Sequence, residues 1–138
     1  MRTKRKLRAS ASATSESVET QGKRIPAIFY KTASGGEPVR EWLKGLPLPE
    51  DRKRIGEDIK TVEFGWPIGM PVCKALGDGI YEVRARLRQN RIARVLFYVD
   101  KRRRMVLLHG FIKKTQKTAA EDLELARTNK NKHQRGLE

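Results

Sequence analysis

The central stretch of the sequence, residues 79–99, reads GIYEVRARLRQNRIARVLFYV. In its first half apolar and charged residues alternate, which is the pattern of a strand with one face in the core and one charged face. Its second half, residues 92–99, is rich in β-branched and aromatic residues and predicts a neighbouring strand. The polar segment at 89–91 separates the two halves, so we expect a β-hairpin with Asn90 at positive φ.

The register of this hairpin determines which charged residues meet. A three-residue loop at 89–91 brings onto one sheet face Glu82, Arg84, Arg86 and Arg94, with Arg94 across from Arg86 and Tyr98 across from Glu82. Arginines grouped on one face repel each other unless an anion lies between them, so the pattern predicts a phosphate-binding face. In the alternative interpretation, the arginines lie in water on an outer face and pair with helix carboxylates.

The segments before the hairpin predict one strand and two helices. Residues 27–31 (AIFYK) are β-prone. Apolar residues at helical spacing follow at 39–46 and, after a helix-starting proline, at 49–64. We expect an irregular stretch through residue 76 and then a turn at Gly77-Asp78-Gly79.

The segments after the hairpin complete the predicted fold. Residues 105–112 predict a third antiparallel strand, and Thr118, three residues before Glu121, predicts the cap of a C-terminal helix that frays from residue 129. The predicted class is therefore α+β, with an N-terminal strand and two helices packed on an antiparallel sheet, followed by a C-terminal helix.

Composition limits the partners. The 138 residues include 31 Lys and Arg against 16 Asp and Glu, for a net charge of +15, which favours nucleic acid as partner. No apolar run is long enough to cross a membrane, so we expect no membrane partner. The single cysteine, Cys73, and two histidines favour a cytoplasmic protein without a disulfide framework or a metal site.

The chain is predicted to hold one domain between two polar ends. Residues 1–24 are basic and serine-rich, and we expect a disordered tail that is an idle extension, an RNA-binding arm or an organellar transit peptide. Residues 25–128 form the predicted domain, and residues 129–138 a frayed basic C-terminus.

Three segments carry a resemblance to a known family: GIYEVR at 79–84, RVLFY at 94–98 and LLHGFIKKT at 107–115. With the predicted element order, they resemble the RelE/ParE toxin superfamily, and in particular its phage-derived, HigB-like branch. The resemblance covers about residues 26–128, and it implies a RelE-like fold with an open, basic sheet face.

The resemblance also implies an activity and a site. Relatives bind the ribosomal A site and cut messenger RNA without metal or cofactor, which implies a metal-independent endoribonuclease in which the ribose 2′-OH attacks the adjacent phosphate. By position, the implied catalytic residues are Arg94 as phosphate stabiliser, Arg84 beside it, Glu82 and His109. The residues expected to hold RNA are Arg86, Lys113, Lys114, Lys117 and Tyr98.

The general base stays open among Glu82, His109 and a lysine, because the C-terminal tyrosine of some relatives has no counterpart. The face of His109 depends on register. It joins the arginines if Tyr98 pairs with Met105 or Leu107, and turns inward if Tyr98 pairs with Val106, where its role would be structural. Independently of that register, Glu82 either acts in catalysis or simply neutralises Arg84.

Two other functions share these features. ParE-like relatives inhibit DNA gyrase, so the chain is alternatively a gyrase inhibitor, and it is also compatible with a non-catalytic basic module that binds RNA or the ribosome. Toxins of this kind are held by an antitoxin, and the HigB-like branch implies a helix-turn-helix partner of the HigA-like kind with acidic side chains.

Overall fold

A computed structural model describes residues 21–114 and 118–136. The predicted tail at 1–24 therefore lies almost wholly outside the described residues. Lys117 also lies outside them. The elements, in chain order, are β1 (Ala27–Phe29), α1 (Pro38–Lys44), α2 (Pro49–Gly65), β2 (Cys73–Gly77), β3 (Ile80–Arg86), β4 (Ile92–Val99), β5 (Met105–Lys113) and α3 (Ala120–Gly136).

The five strands form one sheet in the order β1-β5-β4-β3-β2. The meander of β3, β4 and β5 is antiparallel, which confirms the predicted α+β class. The sheet is mixed rather than antiparallel throughout, because β1 runs parallel to β5. The segment expected to be irregular before the turn contains the edge strand β2, whose exposed Lys74 and Ala75 show no apolar alternation.

Helices α1 and α2 cover one face of the sheet. Each begins with a proline, Pro38 and Pro49, where the missing N–H costs no helical hydrogen bond. The buried residues Ile55, Ile59 and Val62 of α2 pack on the apolar side chains of β3 and β4. This layer is the larger of the two cores, and it contains the apolar face of the predicted alternation.

Helix α3 covers the other face. Its inward side carries Asp122, Ala126, Asn129 and His133, which recur at helical spacing. The helix continues to Gly136, so the predicted fraying from residue 129 is wrong: Asn129 is buried, and its side-chain amide donates to the Leu108 carbonyl at 2.9 Å. Among the residues that the structure describes, no helix is long and apolar enough to cross a bilayer.

The register of the β3–β4 hairpin differs from the predicted one by two residues. Arg94 lies opposite Arg84, whereas Arg86 lies opposite Ile92. The difference arises at the turn, where Gln89 as well as Asn90 has positive φ and the Leu87 N–H donates to the Arg91 carbonyl. A shift of two residues preserves the face of every side chain, so the charged residues still share one side of the sheet.

A β-bulge on β5 decides the orientation of His109. Tyr98 pairs with Val106, the register expected to turn His109 inward. The pairing then shifts by one residue, so that Leu96 lies opposite His109 and Leu108 is the extra residue. Because one inserted residue reverses the alternation, His109 lies on the same face as Arg94.

Candidate functional site

Two arginines face each other on neighbouring strands of the α3-covered face. Arg84 of β3 is directly opposite Arg94 of β4, and Glu82 lies two residues from Arg84 on the same face. The Arg84 Nε lies 3.5 Å from the Glu82 Oε1. Glu82 and Arg94 are fully buried, so Glu82 partly neutralises two cations that would otherwise repel each other in a dry environment.

Burial also changes the acid strength of Arg94. Its pKa lies below the ordinary value, first because burial disfavours the charged guanidinium, and further because Arg84 is close; Glu82 opposes both effects. Arg94 was expected to hold a substrate phosphate on an open face. That expectation of an open face is wrong, because α3 and the segment before it cover the guanidinium.

Thr118, just before α3, closes this cluster. Its hydroxyl donates to the Glu82 carboxylate and lies 3.5 Å from the Arg94 Nη1, which donates to it. The sequence predicted instead that Thr118 caps the C-terminal helix, but the helix begins at Ala120 and the Leu123 N–H bonds to the Ala119 carbonyl. Thr118 therefore links the segment just before α3 to Glu82 and Arg94, and it does not cap the helix.

A second group lies beside the first. The His109 Nε2 lies 2.8 Å from the Asp122 Oδ1, and the Lys113 Nζ lies 3.0 Å from the Asp122 Oδ2. Burial raises the pKa of Asp122, but the hydrogen bonds from His109 and Lys113 outweigh burial and hold that pKa below its ordinary value. In the tautomer that donates Nε2–H to a charged Asp122, Nδ1 is the acceptor nitrogen of the ring.

Phe111 supports this second group. Its ring stacks on His109 at a centroid distance of 5.4 Å, and the Lys113 Nζ lies 5.3 Å from its centroid. Phe111 pairs with Arg94 across β4 and β5, so it also joins the two groups. His109 remains partly exposed, with 19% of its side chain accessible, in contrast to Glu82.

The predicted RNA-binding residues are scattered. Arg86 is exposed at the end of β3 and lines a small cleft with Arg84 and Met70. Lys113 joins the site, and Lys114 is exposed next to it.

Tyr98 is not on an open surface, contrary to the prediction. It is buried beneath α3, its hydroxyl is hydrogen-bonded to the His133 Nδ1, and burial raises its pKa to about 12. A phenol held in this way is not available to stack on a base.

Two residues of the site were missed from the sequence, Thr118 and Asp122. Asp122 lies thirteen positions after His109, beyond the strand, and only the packing of α3 across β5 brings them together. The available signal was the acidic first turn of α3, which is equally explained by the helix dipole.

The geometry fits proton transfer beside a bound anion. An imidazole oriented by a carboxylate through one nitrogen can take or give a proton through the other, and Arg84 and Lys113 supply nearby positive charge. Within residues 21–114 and 118–136, no three histidine, cysteine or carboxylate side chains converge as metal ligands do.

Comparison with known proteins identifies the family. Residues 41–131, about two thirds of the chain, match the family described as phage derived protein Gp49-like (DUF891). The match spans part of α1, the whole of α2, the meander of β3 to β5 and most of α3. It therefore includes every residue of the two groups above. No curated protein matches the chain. The chain therefore belongs to the phage-derived Gp49-like family, a family of RelE-like, toxin-like proteins.

Proposed function

We propose that this protein is the toxin of a type II toxin–antitoxin pair of the HigB-like kind, and that it cuts messenger RNA in the ribosomal A site. Membership in a toxin-like phage-derived family supports the first part. The observation that carries the second part is the His109–Asp122 pair, a partly exposed imidazole oriented by a carboxylate on the same sheet face as two arginines.

In the proposed reaction, the His109 Nδ1 takes the proton of a ribose 2′-OH. The 2′ oxygen then forms a bond to the adjacent phosphorus while the bond from phosphorus to the 5′ oxygen breaks, which yields a 2′,3′-cyclic phosphate and a 5′-hydroxyl end. Lys113, which shares Asp122 with His109, gives a proton to the leaving 5′ oxygen. Of the three candidate bases, Glu82 is disfavoured because it is fully buried.

The arginines have different parts in this proposal. Arg84 and the exposed Arg86 line the same cleft and contact the phosphate, where a planar guanidinium donates to two oxygens at once. Arg94 is buried, so it acts by holding Glu82 and Thr118 in place and by adding positive potential beneath the site. Lys114 and Lys117 add contacts to the RNA backbone.

The proposed partners follow from the charge and the family. A chain of net charge +15 is drawn to ribosomal RNA and to the mRNA that it presents. We further propose a helix-turn-helix antitoxin of the HigA-like kind, which covers the basic surface with acidic side chains in a salt-sensitive complex.

A second candidate function is supported by one observation. Because Glu82 and Arg94 are fully buried, half of the expected catalytic set is out of reach of a substrate in this conformation. A basic module that binds RNA or the ribosome without cutting requires none of them to be exposed.

Expression in bacteria tests the proposal. Growth, mRNA integrity and DNA supercoiling are followed together for the wild type, His109→Gln, Arg84→Ala and, as control, Lys53→Gln, which removes an exposed charge from α2. Growth arrest with cut mRNA in the wild type and the control, relieved at least about a hundredfold in His109→Gln, is the expected result.

Other outcomes distinguish the alternatives. Arrest with intact mRNA and altered supercoiling indicates a gyrase inhibitor. Arrest with neither change, insensitive to His109→Gln, indicates binding without catalysis and overturns the nuclease proposal.

A further inference from the structure

A second basic concavity lies at the opposite end of α3 from the candidate site. It is a cavity of about 550 Å³ between the end of β1 and the last turn of α3. Tyr30 and His133 line its floor, and three cations, Lys31, Lys132 and Arg135, line its rim. Among the residues that the structure describes, no acidic side chain contributes to the lining.

The charge balance of this cavity favours an anion. The C-terminal end of a helix carries about half a negative charge, which is small against three full positive charges on the rim. The carboxylate that raises the pKa of His133 is Asp100, and it is already paired with Arg104 at 2.8 Å. Arg102 and Arg104 of the same turn add to the positive field at His133.

The floor provides a fixed surface for such an anion. The His133 Nδ1 is hydrogen-bonded to the Tyr98 hydroxyl, so the orientation of the imidazole is set by a buried partner. Burial holds the pKa of His133 below its ordinary value, with Arg104 and Arg102 lowering it and Asp100 raising it, so the ring is neutral near pH 7. A neutral ring is available as a hydrogen-bond donor without a desolvated charge.

We propose that this cavity is a second phosphate-binding site, which holds a phosphodiester of an RNA strand. The proposal concerns binding and extends the proposed function without depending on cleavage. Asp122 and His133 are eleven residues apart on α3, so the cavity lies about 16 Å from the His109 group along the helix axis. A single strand of a few nucleotides spans that distance, which allows one RNA chain to contact both places.

Binding of a labelled 2′-O-methyl oligouridine of about ten nucleotides tests this site. The probe lacks the 2′-OH, so it cannot be cut by the proposed reaction. The variant is Lys132→Gln/Arg135→Gln. Its matched control is Lys53→Gln/Lys60→Gln on α2, which removes the same charge from another surface. All four side chains are exposed.

We expect the cavity variant to bind about tenfold more weakly at about 0.1 M salt. Its log Kd should also depend less steeply on log salt, by about 1.4, because each single-strand phosphate contact contributes about 0.7. The control should keep the wild-type salt slope. Equal losses in the two variants would mean that only net charge matters and would overturn the proposal.

The two histidines provide an independent readout by NMR, because one lies in each place. The oligonucleotide should shift the His133 ring resonances in the wild type and not in Lys132→Gln/Arg135→Gln. Shifts confined to His109 would overturn the cavity site while leaving the proposed function intact. Shifts at His133, together with mRNA that stays uncut when ribosomes are present, would support the cavity site and contradict the nuclease.

Discussion

Arg84 and Arg94 lie directly opposite each other on neighbouring strands, and one carboxylate, Glu82, lies beside both. Like charges in this position destabilise a sheet unless they are compensated. Glu82 is buried and Thr118 donates to it, so the carboxylate links two strands to the start of α3. The cluster therefore stabilises the fold as well as forming part of the candidate site.

Glu82→Gln should destabilise the protein because it removes the buried negative charge that lies beside the buried Arg94 and the partly buried Arg84. We expect a loss of about 3 kcal/mol in the free energy of unfolding, measured with urea. The matched control is Glu57→Gln on the exposed surface of α2, which should change it by less than about 0.5 kcal/mol. Equal stability of Glu82→Gln and the wild type would contradict the role assigned to Glu82.

The sequence allowed the shared face of Arg84 and Arg94 to be predicted, because alternation is set by the residues themselves. Their direct opposition was not predictable, since it depends on the turn at Gln89 and Asn90. The orientation of His109 was also beyond reach. It depends on a bulge at Leu108, and no composition signal marks where an extra residue enters a strand.

The position of α3 was harder to predict from the sequence than the strand register. A helix with an apolar stripe was predicted, but the sheet face that it covers is decided by long-range packing of Ala126 and by polar contacts such as Asp122 with His109. The same packing buries Tyr98, which alternation alone could only assign to the charged face. Edge strand β2 was missed because edge strands need no apolar alternation.

Asn129→Ala should weaken the anchoring of the bulge. The Asn129 amide donates to the Leu108 carbonyl in a buried setting, and its removal leaves that carbonyl without this donor. We expect a loss of about 2 kcal/mol in the free energy of unfolding and a changed His109 ring resonance by NMR. Asn131→Ala, on the exposed side of the same helix, is the control and should do neither. A normal His109 signal in Asn129→Ala would show that the bulge does not depend on this hydrogen bond from α3.

Gly110→Ala should be destabilising for a steric reason. A Cβ on Gly110 would lie 2.5 Å from the ring of Trp42, which packs α1 against β5. The ring is large, rigid and packed against the core, so we expect a cost of about 2 kcal/mol, measured as a lower urea midpoint.

The control for that substitution is Gly56→Ala. A Cβ on Gly56 meets nothing within 4 Å, and the residue lies inside α2. Alanine has the higher helix propensity, so Gly56→Ala should stabilise the protein by up to about 1 kcal/mol. Opposite signs for the two Gly→Ala changes are the expected result, and two losses of similar size would contradict the packing argument.

His133 should make the stability of the protein depend on pH below neutrality. Burial lowers its pKa in the folded state, with Arg104 and Arg102 acting in the same direction and Asp100 in the opposite one. The unfolded state, with an ordinary pKa of about 6.5, therefore binds the proton first as pH falls. The stabilising contribution is present above that pKa and is lost as pH falls through the folded value.

The measurement is the free energy of unfolding at pH 7, 6 and 5 for the wild type and His133→Gln. The wild type should lose more stability over this range than the variant. Because the ring is only partly buried, solvent screening keeps the difference below about 1.4 kcal/mol, the worth of one pKa unit. Asp122 and Asp100, whose pKa values are lowered, lose their contributions only at more acidic pH. Parallel curves for the two proteins between pH 7 and 5 would exclude His133 as the titrating group.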